Sequence, residues 1–236
     1  MINPAARNRG VFPLMVKMVM IDLDGTLIDT VPDLAVAANR MLADIGRPAR
    51  DAALLRSWVG SGMLRFVKRS LTGEMQAEPE PKLFEQALGL FRQHYAAAVS
   101  DLSRPFPGAV DALVRLQDQG FALACITNKA ESFTLPLLRN LGLSRYFRLV
   151  LSGDSLPAQK PDPLPLRYAC QYFGISASQA VFVGDSANDV LAARAAGMPV
   201  ICVTYGYNHG QSIRASHPDA LVDSLLELPT YLQLNA

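Results

Sequence analysis

The sequence contains 236 residues with a mass of 25.6 kDa, of which 50% are apolar and 18% are charged. This composition is typical of a folded globular protein and excludes a disordered or fibrous chain. The 22 basic and 21 acidic residues leave a net charge of +1, and no block of about five or more basic residues occurs. Neither nucleic acid nor an anionic membrane surface is therefore an expected partner.

The apolar segments and the cysteines indicate where the protein is located. No apolar segment approaches the ~20 residues that cross a bilayer, and no signal-peptide pattern occurs, so we expect a cytoplasmic protein. Residues 1–14 are interpreted as an N-terminal extension. Three cysteines lack metal-site spacing and are expected to be reduced core residues: Cys125, Cys170 and Cys202.

Five apolar runs predict buried strands in an α/β fold. Each run is continuous rather than alternating, as expected for a strand that is covered on both faces. Helix-like segments lie between the runs, and such strand–helix–strand crossovers form a parallel sheet. The predicted strands are 17–22, 121–127, 148–152, 180–184 and 200–204. The predicted helices between them are 109–119, 132–141, 164–173 and 189–196.

The interval from residue 30 to residue 104 interrupts this pattern, because it shows helical periodicity and no convincing strand. We interpret residues 30–104 as a helical cap domain inserted into a core domain formed by residues 15–29 and 105–236. The segment that begins at Arg104-Pro105 is interpreted as the hinge by which the chain returns to the sheet. The helices predicted in the insertion are 32–45, 51–58, 63–71 and 82–99.

Polar motifs follow the predicted strands at the edge where parallel sheets bind ligands. Asp22 and Asp24 follow the first strand, and two carboxylates at this spacing can have different roles. One can attack the substrate or bind a metal while the other transfers protons. Asp185 follows the fourth strand, where a buried carboxylate requires a partner or a cation. Thr127 and Asn128 could bind phosphate or simply form a turn. Lys160 could belong to the same functional site or be a solvent-exposed charge. We expect these side chains to converge.

In this order, these residues resemble the signatures of the haloacid dehalogenase (HAD) superfamily. The resemblance implies an α/β fold, a HAD-like Rossmannoid parallel sheet core with a helical C1-type cap inserted after the first strand. Further segments resemble the phosphoglycolate phosphatase family within it. The superfamily signatures match at Asp22–Thr26, Thr127, Lys160 and Gly184–Asp189. The narrower resemblance involves Thr127–Lys129, Lys160–Pro163, Gly184–Asp189, Thr204–Asn208, Trp58–Gly62 and Arg69.

The resemblance implies a phosphomonoester hydrolase that acts through an aspartyl-phosphate intermediate. Asp22 is the implied nucleophile, and Asp24 the implied acid that protonates the leaving group and later activates water. Mg²⁺ is implied at Asp22, the backbone carbonyl of Asp24 and Asp185, and together with Lys160 it reduces the repulsion between carboxylate and phosphate. Asp189 is expected to support these groups, by pairing with Lys160 or by orienting a metal-bound water.

The implied substrate is the small phosphorylated metabolite 2-phosphoglycolate, bound by a monomer or a homodimer. Thr127 and Asn128 are expected to hold the phosphate. Gly60, on a loop before a cap helix, and Arg69, on that helix, are expected to bind the carboxylate. The alternative without a binding role is that Arg65, Lys68 and Arg69 form a solvent-exposed face of the helix.

Other functions are compatible with parts of this pattern. A sugar or amino-sugar phosphatase and a β-phosphoglucomutase-like phosphomutase share the pair Asp22 and Asp24. A phosphate-binding regulatory protein is the non-enzymatic alternative. Loss of catalysis would ordinarily have removed one of the four central residues, and all are present: Asp22, Asp24, Lys160 and Asp185.

Overall fold

A parallel sheet with helices on both faces forms the centre of the molecule. The computed structural model describes residues 12–235. The strands are β1 (Leu14–Val16), β2 (Met18–Ile21), β3 (Ile28–Asp29), β4 (Arg104–Pro105), β5 (Ala122–Ile126), β6 (Leu149–Leu151), β7 (Ala180–Gly184), β8 (Val200–Val203), β9 (Ala220–Val222) and β10 (Leu232–Leu234). The helices are α1 (Val31–Asp44), α2 (Ala52–Trp58), α3 (Met63–Thr72), α4 (Pro81–Ala97), α5 (Ala109–Asp118), α6 (Glu131–Asn140), α7 (Leu164–Phe173), α8 (Ala187–Ala196) and α9 (Leu228–Tyr231).

The central sheet has the strand order β6-β5-β2-β7-β8-β9, and all its neighbouring strands are parallel. The predicted α/β class is thereby confirmed, and the five predicted strands are all present. Strand β2 lies in the middle, where Met18 aligns with Ala122 of β5 and with Ala180 of β7. The loop that carries Asp22 and Asp24 therefore leaves the centre of the sheet.

The apolar runs are continuous because each strand contributes to two cores. In β2, Val19 and Ile21 pack on one face with residues of α5 and α6, while Met18 and Met20 pack on the other with residues of α7 and α8. All four of these side chains are buried. Successive side chains of a strand point to opposite faces, so a strand covered on both sides has no polar position.

Helices α1 to α4 follow β3 and precede β4, as predicted for the insertion. Strands β3 and β4 pair antiparallel, with Ile28 opposite Pro105, so the outgoing and returning connections run side by side. The Asp33 carboxylate accepts hydrogen bonds from the backbone N–H groups of Leu102 and Ser103, which attaches the return segment to α1. The division into a core domain and a cap domain, with the boundaries given above, stays a prediction.

The N-terminal and C-terminal segments differ from the expectation. Strand β1 pairs in parallel with β10, with Leu14 opposite Leu232, so the interpretation of residues 1–14 as an extension is wrong at Leu14. Residues 1–11 of that segment lie outside the described residues. Strand β9 was not predicted, because a run of three apolar residues is too short to show periodicity.

The cysteines and the helix lengths agree with the sequence analysis. All three cysteines are buried and free of disulfides. Among residues 12–235, no helix has the length and the apolar character needed to cross a membrane.

Candidate active site

The structure brings the polar motifs together at the carboxyl edge of the sheet. Lys160 lies at the centre, with its Nζ 2.8 Å from Asp22 Oδ1, 2.8 Å from Asp189 Oδ1 and 2.8 Å from the Ile126 carbonyl to which it donates. Three oxygens thus surround a group with three hydrogens. Burial opposes the charge of Lys160, but Asp189 and Asp22 outweigh this effect and raise its pKa above the ordinary value. Lys160 therefore stays cationic and holds Asp22 in place.

Asp24 is held by different partners from those of Asp22. Its Oδ1 accepts a hydrogen bond of 2.7 Å from the Thr30 hydroxyl. The Nζ of Lys129 lies 3.1 Å from Oδ1 and 3.3 Å from Oδ2. Lys129 follows Thr127 and Asn128 in the sequence, and no role was predicted for it. The two acids of the first motif are consequently paired with two different lysines.

Asp185 is fixed by contacts from two other segments of the chain. Its carboxylate accepts hydrogen bonds from the Thr26 hydroxyl at 3.0 Å and from the backbone N–H of Tyr207 at 2.7 Å. Burial, reinforced by Asp189, raises the pKa of Asp185 to about 7. Gly25 has a φ of +85°, and a Cβ there would lie 2.5 Å from Asp185 Oδ2. Glycine is therefore required for the loop to approach this carboxylate.

Asp189 supports the site and the beginning of α8. Its Oδ2 accepts hydrogen bonds from the backbone N–H groups of Asp185 and Ser186 and from the Ser186 hydroxyl. Its other oxygen contacts Lys160. Of the two supporting roles expected for Asp189, the structure shows the pairing with Lys160.

The acidic residues have the chemistry of a divalent cation site. One oxygen from each of Asp22, Asp185 and Asp189 lies within 4.8 Å of the others, and all three residues are buried. Lys160 is the cation that contacts this group, so three carboxylates share one positive charge. Burial, together with Asp189 and Asp185, raises the pKa of Asp22 well above its usual range, although Lys160 opposes this. A hard divalent cation would relieve this excess of negative charge.

Thr127 and Asn128 lie at the end of β5, as predicted. The Thr127 hydroxyl accepts the backbone N–H of Lys129 at 3.2 Å, which leaves its hydrogen available to a ligand. Asn128 donates from Nδ2 to the carbonyls of Lys160 and Gly60, at 2.8 and 3.1 Å. The Gly60 carbonyl also accepts from Asn188 at 3.2 Å. The loop that carries Gly60 is thereby attached to the edge of the sheet.

Arg69 does not occupy the position that we expected. The side chain is buried, and its guanidinium donates to the carbonyls of Trp58 at 2.8 Å and Met75 at 3.2 Å. Arg69 does not line the cavity described below. We therefore correct its predicted role as a carboxylate-binding residue: its donors hold the loop that precedes Gly60.

A cavity of about 40 Å³ lies between the sheet edge and the inserted helices. Most polar groups that line it come from the sheet edge, and the apolar groups come mainly from the helices. The polar side chains from the sheet edge are Asp22, Asp24, Thr127, Asn128 and Lys129. Apolar lining residues include Leu34, Val59, Met63, Phe66, Phe91 and Phe133.

The fold and the site together define a hydrolase of the α/β class with paired aspartates at the end of its central strand. The family model of haloacid dehalogenase-like hydrolases matches residues 19–203. The chain belongs to this family. The predictions of a HAD superfamily member and of an enzyme of the phosphatase class are confirmed.

Individual relatives narrow the resemblance. A phosphoglycolate phosphatase from Thiobacillus denitrificans is 54% identical over 216 residues, covering 92% of this chain and 95% of the relative. One from Nitrosospira multiformis is 50% identical over 222 residues, covering 94% and 98%. The crystal structure of a predicted phosphoglycolate phosphatase from Haemophilus somnus is similar with a TM-score of 0.85 and 34% identity, covering 91% of this chain and 96% of that one. The narrower resemblance drawn from the sequence is thus confirmed.

Proposed function

We propose that the protein hydrolyses 2-phosphoglycolate to glycolate and phosphate through an aspartyl-phosphate intermediate, with Mg²⁺ as its cofactor. The observation that carries this proposal is the separate pairing of the two acids. Asp22 contacts Lys160, while Asp24, two residues later, is held by Thr30 and Lys129, and both acids line one cavity. The names of the relatives support the choice of substrate.

In the first step, an Asp22 carboxylate oxygen attacks phosphorus and forms an acyl phosphate. The bond between phosphorus and the substrate oxygen breaks, and Asp24 transfers a proton to that oxygen, so that glycolate leaves as an alcohol. The charge of Lys160 lowers the repulsion between the Asp22 carboxylate and the incoming phosphate.

In the second step, a water molecule attacks the phosphorus of the intermediate. Asp24, now deprotonated, accepts a proton from the water while the bond between phosphorus and Asp22 breaks. Phosphate is released, and both carboxyl groups return to their starting states. Because Asp24 is held apart from Asp22, the same residue is available to both steps.

The carboxylates of Asp22 and Asp185 and the backbone carbonyl of Asp24 would hold Mg²⁺, which supplies positive charge next to the phosphate. The Thr127 hydroxyl, whose hydrogen is available, would donate to a phosphate oxygen. The side-chain amide of Asn128 donates both hydrogens to the carbonyls of Lys160 and Gly60, so its contribution to this subsite would come from its backbone N–H.

The lining of the cavity favours a small leaving group. The cavity of about 40 Å³ has apolar side chains such as Phe66 and Phe91 on its helical side. Glycolate adds two carbons to the ester oxygen, whereas a hexose adds a ring with several hydroxyl groups. These hydroxyl groups would lose water without gaining hydrogen-bond partners on the apolar side chains.

The test is phosphate release with Mg²⁺ from 2-phosphoglycolate, glucose 6-phosphate and p-nitrophenyl phosphate. We expect the highest kcat/KM for 2-phosphoglycolate and no turnover by Asp22→Asn, which keeps the shape of the side chain and loses its nucleophilic charge. A tenth of the wild-type rate in Asp22→Asn would contradict the role of Asp22. A hexose phosphate that outperforms 2-phosphoglycolate would refute the substrate and leave the mechanism in place.

A further inference from the structure

Lys129 is the second buried lysine of the site and has no part in the mechanism described above. Its side chain is 4% exposed, and its Nζ lies 3.1 Å from Asp24 Oδ1 and 4.7 Å from the ring centre of Tyr95. Within the described part of the chain, Lys129 is the cation among the side chains that line the cavity. A charge in this position is available to an anionic ligand.

Tyr95, from helix α4, lines the same cavity and carries an unused hydroxyl group. The residue is 1% exposed, and among residues 12–235 its hydroxyl has no hydrogen-bond partner. A buried hydroxyl without a partner is costly, and native structures rarely retain one without a reason. A hydroxyl and an ammonium group that line one cavity together form a donor pair for a carboxylate.

We infer that Lys129 and Tyr95 bind the carboxylate of the substrate and determine its selection. This inference rests on the proposed function, because it assigns the second anion of 2-phosphoglycolate. The phosphate lies at Asp22 and Lys160, and the carboxylate lies at Lys129. The specificity for an acidic leaving group thus comes from the sheet edge and helix α4.

The position of Lys129 next to Asp24 agrees with the geometry of the substrate. Asp24 is the proposed proton donor to the ester oxygen, and the carboxylate of 2-phosphoglycolate is attached one carbon away from that oxygen. A group that binds this carboxylate must therefore be a neighbour of Asp24. The ammonium group of Lys129 has three hydrogens, so it can contact Asp24 and the substrate carboxylate together.

Three other cations of helix α3, which follows the loop at Gly60, contact groups outside the cavity. Arg65 and Lys68 both contact the Glu78 carboxylate on the outer side of α3. Arg69 donates to backbone carbonyls. The aromatic side chains around the cavity exclude water, which strengthens the attraction between Lys129 and a carboxylate.

The experiment compares 2-phosphoglycolate with 2-hydroxyethyl phosphate, in which a hydroxymethyl group replaces the carboxylate. The selectivity is the ratio of the two kcat/KM values, measured with Mg²⁺ for the wild type, Lys129→Met, Lys129→Arg and Tyr95→Phe. Lys68→Met is the matched control, because it removes a lysine that contacts Glu78 outside the cavity.

We expect Lys129→Met to lower the selectivity about 10- to 100-fold, since a hydrogen bond to a charged group is lost. Lys129→Arg should retain part of the selectivity because it keeps the charge. Tyr95→Phe should lower it about 2- to 10-fold, as expected for a neutral donor. Lys68→Met should leave the selectivity unchanged. In the variants of Lys129 and Tyr95, the KM for 2-phosphoglycolate should change more than kcat.

Equal losses on both substrates in Lys129→Met and Tyr95→Phe would overturn the inference, because these residues would then act in the common chemistry or in packing. If Lys129→Met does not fold, the selectivity of Tyr95→Phe tests the inference instead, because this variant loses only one oxygen atom and should still fold. If the wild type prefers 2-phosphoglycolate and both Lys129→Met and Tyr95→Phe keep this preference, only the role of Lys129 and Tyr95 is refuted. A wild type without this preference refutes the proposed substrate itself.

Discussion

The stability of the metal-free protein should fall as the pH rises, because Asp185 is buried among other carboxylates. Its pKa is raised from an ordinary value of 3.8 to about 7. At a pH between these values, the folded protein keeps a proton that the unfolded chain releases. The folded state therefore binds more protons, and the free energy of unfolding decreases with pH across this window. This is the reverse of the behaviour of a carboxylate in a favourable ion pair.

The size of the effect follows from the shift in pKa. A difference of one unit corresponds to 1.36 kcal/mol, so the complete penalty, reached above about pH 7, is on the order of 4 kcal/mol. Between about pH 5 and pH 8 the expected loss is about 3 kcal/mol. For a chain of this length, such a loss lowers Tm by on the order of 10 °C.

Thermal unfolding in EDTA at about pH 5 and pH 8 measures this loss, with Asp185→Asn as the control. Asparagine keeps the volume, and its carbonyl and amino groups can retain the contacts with Tyr207 and Thr26 because the Thr26 hydroxyl can accept instead of donate. The variant should show a smaller pH dependence and a higher Tm than the wild type near pH 8.

Mg²⁺ should raise Tm of the wild type more near pH 8 than near pH 5, since the cation requires ionised ligands. The same addition should have little effect on Asp185→Asn. The reasoning is refuted if the metal-free wild type is at least as stable near pH 8 as the Asp185→Asn variant.

Three further substitutions test the assignment of buried polar groups. Lys160→Met should lower kcat/KM by about 100- to 1000-fold on every phosphate ester, and a loss below tenfold would place Lys160 outside the chemistry. Arg69→Met should lower the free energy of unfolding by about 2–3 kcal/mol while the preference for 2-phosphoglycolate over p-nitrophenyl phosphate persists. A selective loss of 2-phosphoglycolate turnover would restore Arg69 to the substrate site. Tyr95→Phe should raise the free energy of unfolding of the ligand-free protein by about 1 kcal/mol, because an unpaired hydroxyl is removed, and a lower value would show that the hydroxyl has a partner.

The sheet and its polar edge could be predicted because both follow from short-range signals. A strand buried on both faces leaves a continuous apolar run, and its carboxyl end is marked by the first polar residues that follow, such as Asp22 or Asp185. The helices between strands have clear periodicity and recognisable ends, as where Gly197 ends α8 in a left-handed conformation. In a parallel sheet these two facts place the motifs at one edge.

The groups that we propose to bind the substrate carboxylate could not be predicted in the same way. Arg69 and Lys129 are both cations near the loop at Gly60, and only their three-dimensional contacts show that the first donates to carbonyls while the second lies beside Asp24. Tyr95 belongs to the apolar stripe of α4, so periodicity assigns it to packing. Whether its hydroxyl has a partner depends on helices and loops that are distant in sequence.

The distribution of charge explains how an acidic substrate can be selected although, among the described residues, helices α1 to α4 place no cation in the cavity lining. Both lysines come from the sheet side and each pairs with one acid of the first motif, Lys160 with Asp22 and Lys129 with Asp24. Helices α1, α3 and α4 add mainly apolar and aromatic walls, which exclude water and so strengthen the attraction of these lysines for anions. The same walls present few polar groups, so the hydroxyls of a sugar would lose water without gaining partners. In this proposal, a polar leaving group is disfavoured because its hydroxyl groups find few hydrogen-bond partners on these walls. The carboxylate of 2-phosphoglycolate is favoured because Lys129 neutralises its charge.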